Sequence, residues 1–434
     1  MQNNTYILKR TESSTSSTTT NELVPLDAAP STPADQYTTT QVEIESHFSA
    51  DHPSFRLKYH RSNSIISTTT DPLSLISETP LTPSFPPQTP TAITTPRLPN
   101  IKVLGTGGTI ASKGSSSHQT AGYEVDLTIE DLIQSIPDLS QTCTLDYEQL
   151  FNVDSKEFGT AHLLALHRQI TADLSLYDAV VITHGTDTME ETAFFVQSTV
   201  DSLKPVVFCG SMRPSTAISS DGPMNLYQAI LIACHEASRD RGVLVALNDS
   251  IGSGFYITKS NANSLDTFKN IGSGYVGNFV NNEIRYFYPP TKPLGLTHFH
   301  IDSAATTSLP EVVVLFAHQG LNNELVRFVI KEMGVQGLVL ATMGAGSMSD
   351  DTNKYIAELL HDNKEFPVVY SKRSMDGMVP LGALPKVGGG AVKKPLVNAI
   401  AGGYLNPQKA RLLLQLCLNS KMNLRQIKEV FKTV

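Results

Sequence analysis

The sequence predicts an α/β protein. A large N-terminal domain with a doubly wound parallel sheet is joined to a smaller C-terminal α/β domain, and a disordered tail precedes both. Three observations predict this. β-branched apolar runs end in short glycine-bearing loops that carry hydroxyls, as in Ile101–Lys102–Val103–Leu104 before Gly105–Thr106–Gly107–Gly108–Thr109, and Val180–Val181–Ile182 before Thr183–His184–Gly185–Thr186. Such runs alternate with stretches of helical pattern, the rhythm of a parallel sheet. The composition also changes abruptly near residue 97.

The tail comes first. None of the 28 glycines falls within residues 1–100, a stretch that holds 33 Ser or Thr and 12 Pro. Such a composition buries too little apolar surface to offset the entropy of ordering, so residues 1–97 are expected to be disordered. Thr-Pro pairs punctuate its end (Thr79–Pro80, Thr82–Pro83, Thr89–Pro90, Thr95–Pro96). One basic and aromatic island, Phe55 to Ser64, reads either as a docking or phosphorylation segment or as solvated linker.

The first α/β domain is expected over 98–288. Val206–Val207–Phe208–Cys209 and Val243–Leu244–Val245–Ala246–Leu247 read as further buried strands. Asp221–Gly222–Pro223 opens a helix with Pro in its first turn, where the missing N–H costs nothing. The proline-punctuated stretch 289–310 reads as a linker, and 311–434 as the second domain. There Val312–Phe316, Gly337–Leu340 and Pro367–Tyr370 are strands. Leu321, Leu325, Phe328, Val329 and Met333 form one apolar helical face ended by Gly334. Asn406 caps a last helix with Pro407 at its first position.

Charge and composition exclude several classes. A net charge of −8 without a basic stripe argues against nucleic acid as a partner. No run approaches the roughly 18 apolar residues of a membrane-spanning helix, and the first residues lack a signal-peptide pattern. The four cysteines show no short CxxC spacing, and Cys209 and Cys234 read as small buried hydrophobes. Together these features place the chain in the cytoplasm.

The candidate chemistry lies in the loops after the strands, where open α/β sheets bind ligands. Glycine lets main-chain N–H groups come close to a substrate. Gly105–Thr106–Gly107–Gly108–Thr109–Ile110 matches neither a dinucleotide fingerprint nor a Walker A loop. Thr109 is therefore either a nucleophile awaiting activation or an exposed hydroxyl in a tight turn. Ser115 to Tyr123 is small, polar and helix-poor, so it can act as a lid carrying Tyr123 toward Thr109, or Tyr123 is a surface anchor. Asp187 with Glu190 makes a capping box for the helix through Val200, and the same carboxylate can receive a substrate ammonium. Lys259, beside Phe255 and Tyr256, is either a partly desolvated base for a threonine or a solvated lysine.

The order of these pieces resembles the bacterial-type L-asparaginase family. The resemblance rests on Thr106–Gly107–Gly108–Thr109–Ile110–Ala111, Ile182–Thr183–His184–Gly185–Thr186–Asp187–Thr188–Met189–Glu190–Glu191, Met212–Arg213–Pro214–Ser215, Asp221–Gly222–Pro223 with Asn225–Leu226, and Leu405–Asn406–Pro407–Gln408–Lys409–Ala410–Arg411. It spans 98–434. It implies hydrolysis of L-asparagine to L-aspartate and ammonia without a cofactor or metal, in a homo-oligomer, tetramer or dimer. Residue by residue it implies Thr109 as nucleophile, Tyr123 as its lid partner, Ser155 on the substrate α-carboxylate and Asp187 on the α-ammonium. Thr186 and Lys259 match the second threonine and its lysine. Glutamine, a lysophospholipid or another amide is the alternative substrate. A third reading is a non-catalytic amino-acid-binding regulator whose tail binds a regulatory protein.

Two departures from the family stand out. Lys156 follows Ser155, which makes the α-carboxylate side more cationic. Many secreted relatives lend an acid from a neighbouring subunit to the first threonine and the tyrosine. The matching stretch here, Val387 to Lys394, carries none, and Glu429 is the only acidic residue after Asp376.

Overall fold

The computed structural model describes residues 97–434 except 121, 123, 303–304 and 389–392, together with the backbone of four extended segments nearer the N-terminus. Those segments are Asn4–Glu12, Thr19–Pro25, Thr40–His47 and Ser54–Arg61, and they pair antiparallel within the unit Met1–Ala92. The disordered-tail expectation otherwise falls outside the described residues, as do the Thr-Pro pairs.

The remainder, Ile93–Val434, is one unit built on two sheets. The larger contains β1 (Asn100–Gly107), β2 (Thr144–Val153), β3 (Ala179–Thr183), β4 (Val206–Cys209), β5 (Val243–Leu247), β6 (Ser250–Ser253), β7 (Gly277–Val280) and β8 (Glu283–Tyr286). Their order is β8-β7-β6-β5-β4-β3-β1-β2. The pairings from β5 through β2 are parallel, and β6, β7 and β8 extend the edge antiparallel.

The alternation of side chains along a strand explains why this sheet is covered on both faces. Leu104, Val180, Ile182, Val206, Phe208 and Val245 point to one core, shared with helices α2 (Thr160–Leu176) and α3 (Met189–Thr199). Ile101, Val103, Val181, Val207, Cys209 and Leu244 point to the other, shared with α1 (Ile129–Gln134) and α4 (Gly222–Cys234). Both faces are dry, so each strand reads as continuous apolar sequence rather than as an alternating one.

The smaller sheet is all parallel: β9 (Val312–Phe316), β10 (Gly337–Thr342), β11 (Val368–Lys372) and β12 (Ala399–Ala401), in that order. Helices α5 (Asn323–Lys331) and α6 (Asp350–Leu359) contribute to the core on one face. On the other face α7 (Pro407–Asn419) and α8 (Leu424–Phe431) share the α2/α3 core, so one apolar cluster joins the two sheets. The α/β architecture expected from the sequence is observed, with a parallel-dominated larger sheet and a smaller second one.

Two local expectations, on α5 and on Cys234, need correction, and a third observation adds to the linker reading. The α5 face was read correctly only in part: Val329 is buried and Leu321 packs on the core as expected, but Leu325, Phe328 and Met333 stand 46–51% exposed and Val326, not singled out, is buried. The stretch between Tyr286 and Val312 has no helix or strand among the described residues, yet Phe299, Ile301 and Leu309 are buried in the shared core. Cys209 is fully buried as expected, but Cys234 at the end of α4 is only half-buried and its thiol meets Cys143. No helix of the described residues is long and apolar enough to cross a membrane.

Candidate active site

Three loops at the carboxyl ends of β1, β2 and β3 converge, and glycine makes this possible. After β1, Gly108 has φ +83°, a region that L side chains rarely adopt. A Cβ there would overlap the Cα and N of Gly185, in the loop after β3. A Cβ on Gly185 would in turn lie 2.6 Å from Ser155 Oγ and 3.1 Å from Gly108 Cα. Thr109 follows directly, opening the one-turn 3₁₀ helix Thr109–Ala111, half-buried while Ile110 and Ala111 anchor the turn in the core.

Ser155 is 2% exposed and starts the short turn after β2. Its Oγ accepts a hydrogen bond from the Asp187 main-chain N–H at 3.2 Å, and its carbonyl accepts one from Thr188 Oγ1 at 2.8 Å. The neighbouring Lys156 does not stand as a free cation, because its ammonium pairs with Asp154 Oδ2 at 3.0 Å.

Thr186, Asp187 and Lys259 form one cluster. Lys259 sits on the short strand Ile257–Lys259, which pairs with Phe268–Asn270. Its ammonium donates to Thr186 Oγ1 at 2.9 Å and to Asp187 Oδ1 at 2.6 Å. Thr186 is 4% exposed, while the Asp187 side chain remains 60% exposed. The capping-box expectation fails here. The N-cap of α3 is Thr188, and it makes no side-chain cap bond. Asp187 is drawn to the lysine instead, since a full opposite charge outcompetes a peptide N–H for the carboxylate.

Glu190, in the first turn of α3, therefore has a different task from the one read in the sequence. It is 5% exposed, and its two oxygens accept the Lys259 main-chain N–H at 3.1 Å and Gln408 Nε2 at 2.6 Å. The next residue, Glu191, pairs with Arg411 at 3.3 Å, and burial raises its carboxyl above the usual range. Both partners lie on α7 of the smaller sheet's layer, 218 and 220 residues along the chain. Separations of that size leave no local spacing by which the sequence could have revealed them.

His184 was also not singled out. It is fully buried, its ring 4.6 Å from that of Phe158, and burial pushes its pKa down to about 4. The imidazole is neutral, and its Nδ1 lies 2.8 Å from the Gly185 carbonyl, which can only accept. Nδ1 therefore carries the proton, and the bond orients the Gly185–Thr186 peptide. Asp221 does similar work nearby: its carboxylate accepts the N–H groups of Met212 and Arg213 and the side-chain amide of Asn225. Thus Ser155, Thr186, Asp187 and Lys259 are linked by hydrogen bonds, and the loop of Thr109 abuts theirs through Gly108 and Gly185. Tyr123 lies outside the described residues. So do positions 389–392 of the acid-free stretch. No cluster of metal-ligating side chains occurs among the described residues.

An open sheet that gathers hydroxyl, carboxylate and ammonium groups at its carboxyl ends, joined to a second α/β sheet, defines an α/β enzyme. The asparaginase N-terminal family model matches residues 100–292, and the glutaminase/asparaginase C-terminal domain model matches 311–431. The chain belongs to the asparaginase family, and the resemblance drawn from its motifs holds. It is an amidohydrolase of that family. L-asparaginase 2-3 of Saccharomyces cerevisiae is 49% identical over 340 residues, covering 78% of this chain and 91% of the relative. L-asparaginase 2 of Escherichia coli is 37% identical over 335 residues, 77% of this chain and 93% of the relative. A crystal structure described as probable cytoplasmic L-asparaginase from Campylobacter jejuni aligns with a TM-score of 0.70 at 35% identity, covering 77% of this chain and all of the other.

Proposed function

We propose that the protein hydrolyses L-asparagine to L-aspartate and ammonia through an acyl-enzyme on Thr109. One observation carries the reading: Lys259 contacts both Thr186 Oγ1 and Asp187 Oδ1, in a loop whose Gly185 touches the residue preceding Thr109. The matched family and the names of its relatives support asparagine as the substrate.

In this reading Asp187, exposed beside Thr186, receives the substrate α-ammonium, and Ser155 receives the α-carboxylate. Thr109 Oγ attacks the side-chain amide carbon, and its proton passes to the departing nitrogen, which leaves as ammonia. The resulting ester is opened by water at the Thr186–Lys259 pair, and Thr109 regains its proton as aspartate departs. Main-chain N–H groups near Thr109 and Thr186 face the developing oxyanion, the largest electrostatic contribution in reactions of this type. Tyr123 acts as the lid partner of Thr109. The assembly is a homo-oligomer, as the family resemblance implies, and it works in the cytoplasm, in keeping with the description of the Campylobacter jejuni structure.

The test is ammonia release from asparagine, glutamine and a panel of other amides, with Thr109→Ala as the control. Asparagine is expected to be the best substrate. Thr109→Ala, with an unchanged circular-dichroism spectrum, is expected to lose roughly three orders of magnitude in kcat. Near wild-type turnover in that variant would remove Thr109 from its role, and faster release from glutamine would replace the substrate.

A further inference from the structure

The lysine assigned to Thr186 is held in place by the other half of the molecule. Every residue in the strand before it is tied to α7. Asn406 Nδ2 donates to Thr258 Oγ1 at 2.9 Å. Lys409 Nζ donates to the carbonyls of Phe255, at 2.9 Å, and Ile257. Gln408 holds the Glu190 carboxylate, whose other oxygen takes the Lys259 N–H. Lys409 is itself 2% exposed, and its Nζ lies 5.8 Å from the Phe194 ring centroid. An apolar residue would fill the same space more cheaply if packing were its only task.

We infer that Lys409, with Gln408 beside it, is a positioning residue for Lys259: it fixes the main chain of Phe255–Lys259 so that the Lys259 ammonium reaches Thr186 and Asp187 together. Neither residue contacts the reacting groups. They act through two carbonyls and one carboxylate, and they make turnover in the larger domain depend on how α7 is seated. The inference rests on the reading that Lys259 serves Thr186.

A double-mutant cycle on the full chain tests it, with kcat and KM for asparagine measured on Lys259→Met, Lys409→Met and the double variant. Lys259→Met is expected to lower kcat strongly. Lys409→Met is expected to lower kcat about 10- to 100-fold, the cost of a misplaced reacting group, with KM within about threefold. Added to Lys259→Met, it is expected to cost less than about twofold more, because its effect passes through Lys259. An equal loss in both backgrounds, or an unchanged kcat for Lys409→Met, overturns the positioning role and leaves the Lys259 reading intact. If Lys259→Met keeps wild-type kcat, the Lys259 reading falls and the positioning inference falls with it. Should Lys409→Met fail to fold, Gln408→Leu takes its place: a loss of about threefold or more that vanishes in the Lys259→Met background is expected, and an additive loss overturns the inference.

Discussion

At the scale of single residues, the site depends on what is absent as much as on what is present. Gly108 has no side chain, and neither has Gly185, and together they let the loops after β1 and β3 touch. The φ of +83° and ψ of −174° at Gly108 belong to a region essentially reserved for glycine. Gly108→Ala is therefore expected to destabilise the fold by roughly 2–4 kcal/mol in urea titrations and to abolish ammonia release. A variant with wild-type stability would show that the two loops do not approach this closely. His184 gives a second expectation. Its pKa falls from 6.5 to about 4 on folding, through burial. Between those values the unfolded chain binds the extra proton, so stability rises with pH across that window and is lost on acidification. The full span is worth about 3 kcal/mol. The slope of the urea midpoint between pH 4 and 6.5 should flatten in His184→Gln relative to the parent. An unchanged slope would place the titration elsewhere. The clustered hydroxyls were legible in the sequence because they fall in loops after readable strands, whereas Lys259 lies on a short strand that the sequence did not show and was picked out by its aromatic neighbours and the family resemblance. Glu190 was misread because the helix starts one residue later than its cap pattern indicates, and the cap carboxylate had a stronger partner in Lys259.

At the scale of elements, what was legible follows from how far each signal reaches. Val206–Cys209 and Val243–Leu247 appear with the expected bounds because a strand buried on both faces is apolar throughout. The α5 face was only partly legible, in Val329 and Leu321. Two apolar stripes wind round that helix, and only packing against β10 and α6 decides that Val326 and Val329 turn inward. The segment from Phe287 to Glu311 shows the limit of reading prolines as punctuation. They do exclude helix and strand, but not burial, since Phe299 and Ile301 complete the shared core. The cap of α7 was read correctly: the Asn406 carbonyl oxygen accepts the Lys409 N–H, and Pro407 begins the helix. Its amide nitrogen reaches Thr258 at the same time. Asn406→Ala removes both bonds and is expected to cost about 2 kcal/mol, near the upper end for a cap alone. Asn406→Asp keeps the capping oxygen and should recover about half, as read by the shift in urea midpoint. Equal losses for the two variants would mean that the cap contributes nothing.

At the scale of the whole molecule, the two sheets are joined by an apolar cluster against which Lys409 buries its amine. Lys409 sits where α7 meets α3; burial lowers its pKa most, Lys372 adds to that, and together they outweigh the raising effect of Glu190 and Glu191 to bring it down to about 8. The value in the unfolded chain is 10.5. Below pH 8 both states carry the proton and the folded state bears the cost of a buried charge. Between about 8 and 10.5 only the unfolded chain holds the proton, so stability rises with pH there and gains about 3 kcal/mol over the span. The neutral amine still has two N–H groups, enough for the Phe255 and Ile257 carbonyls, so the seating of Lys259 survives the proton's departure. Two outcomes are thus expected together. The urea midpoint of the parent should rise relative to that of Lys409→Met from pH 8 to 10, while the kcat ratio of the two stays constant over the same range. A constant midpoint difference would show that the amine is not buried where the two layers meet. A kcat ratio that collapses above pH 8 would show that the ammonium charge, rather than the two hydrogen bonds, aligns the strand carrying Lys259.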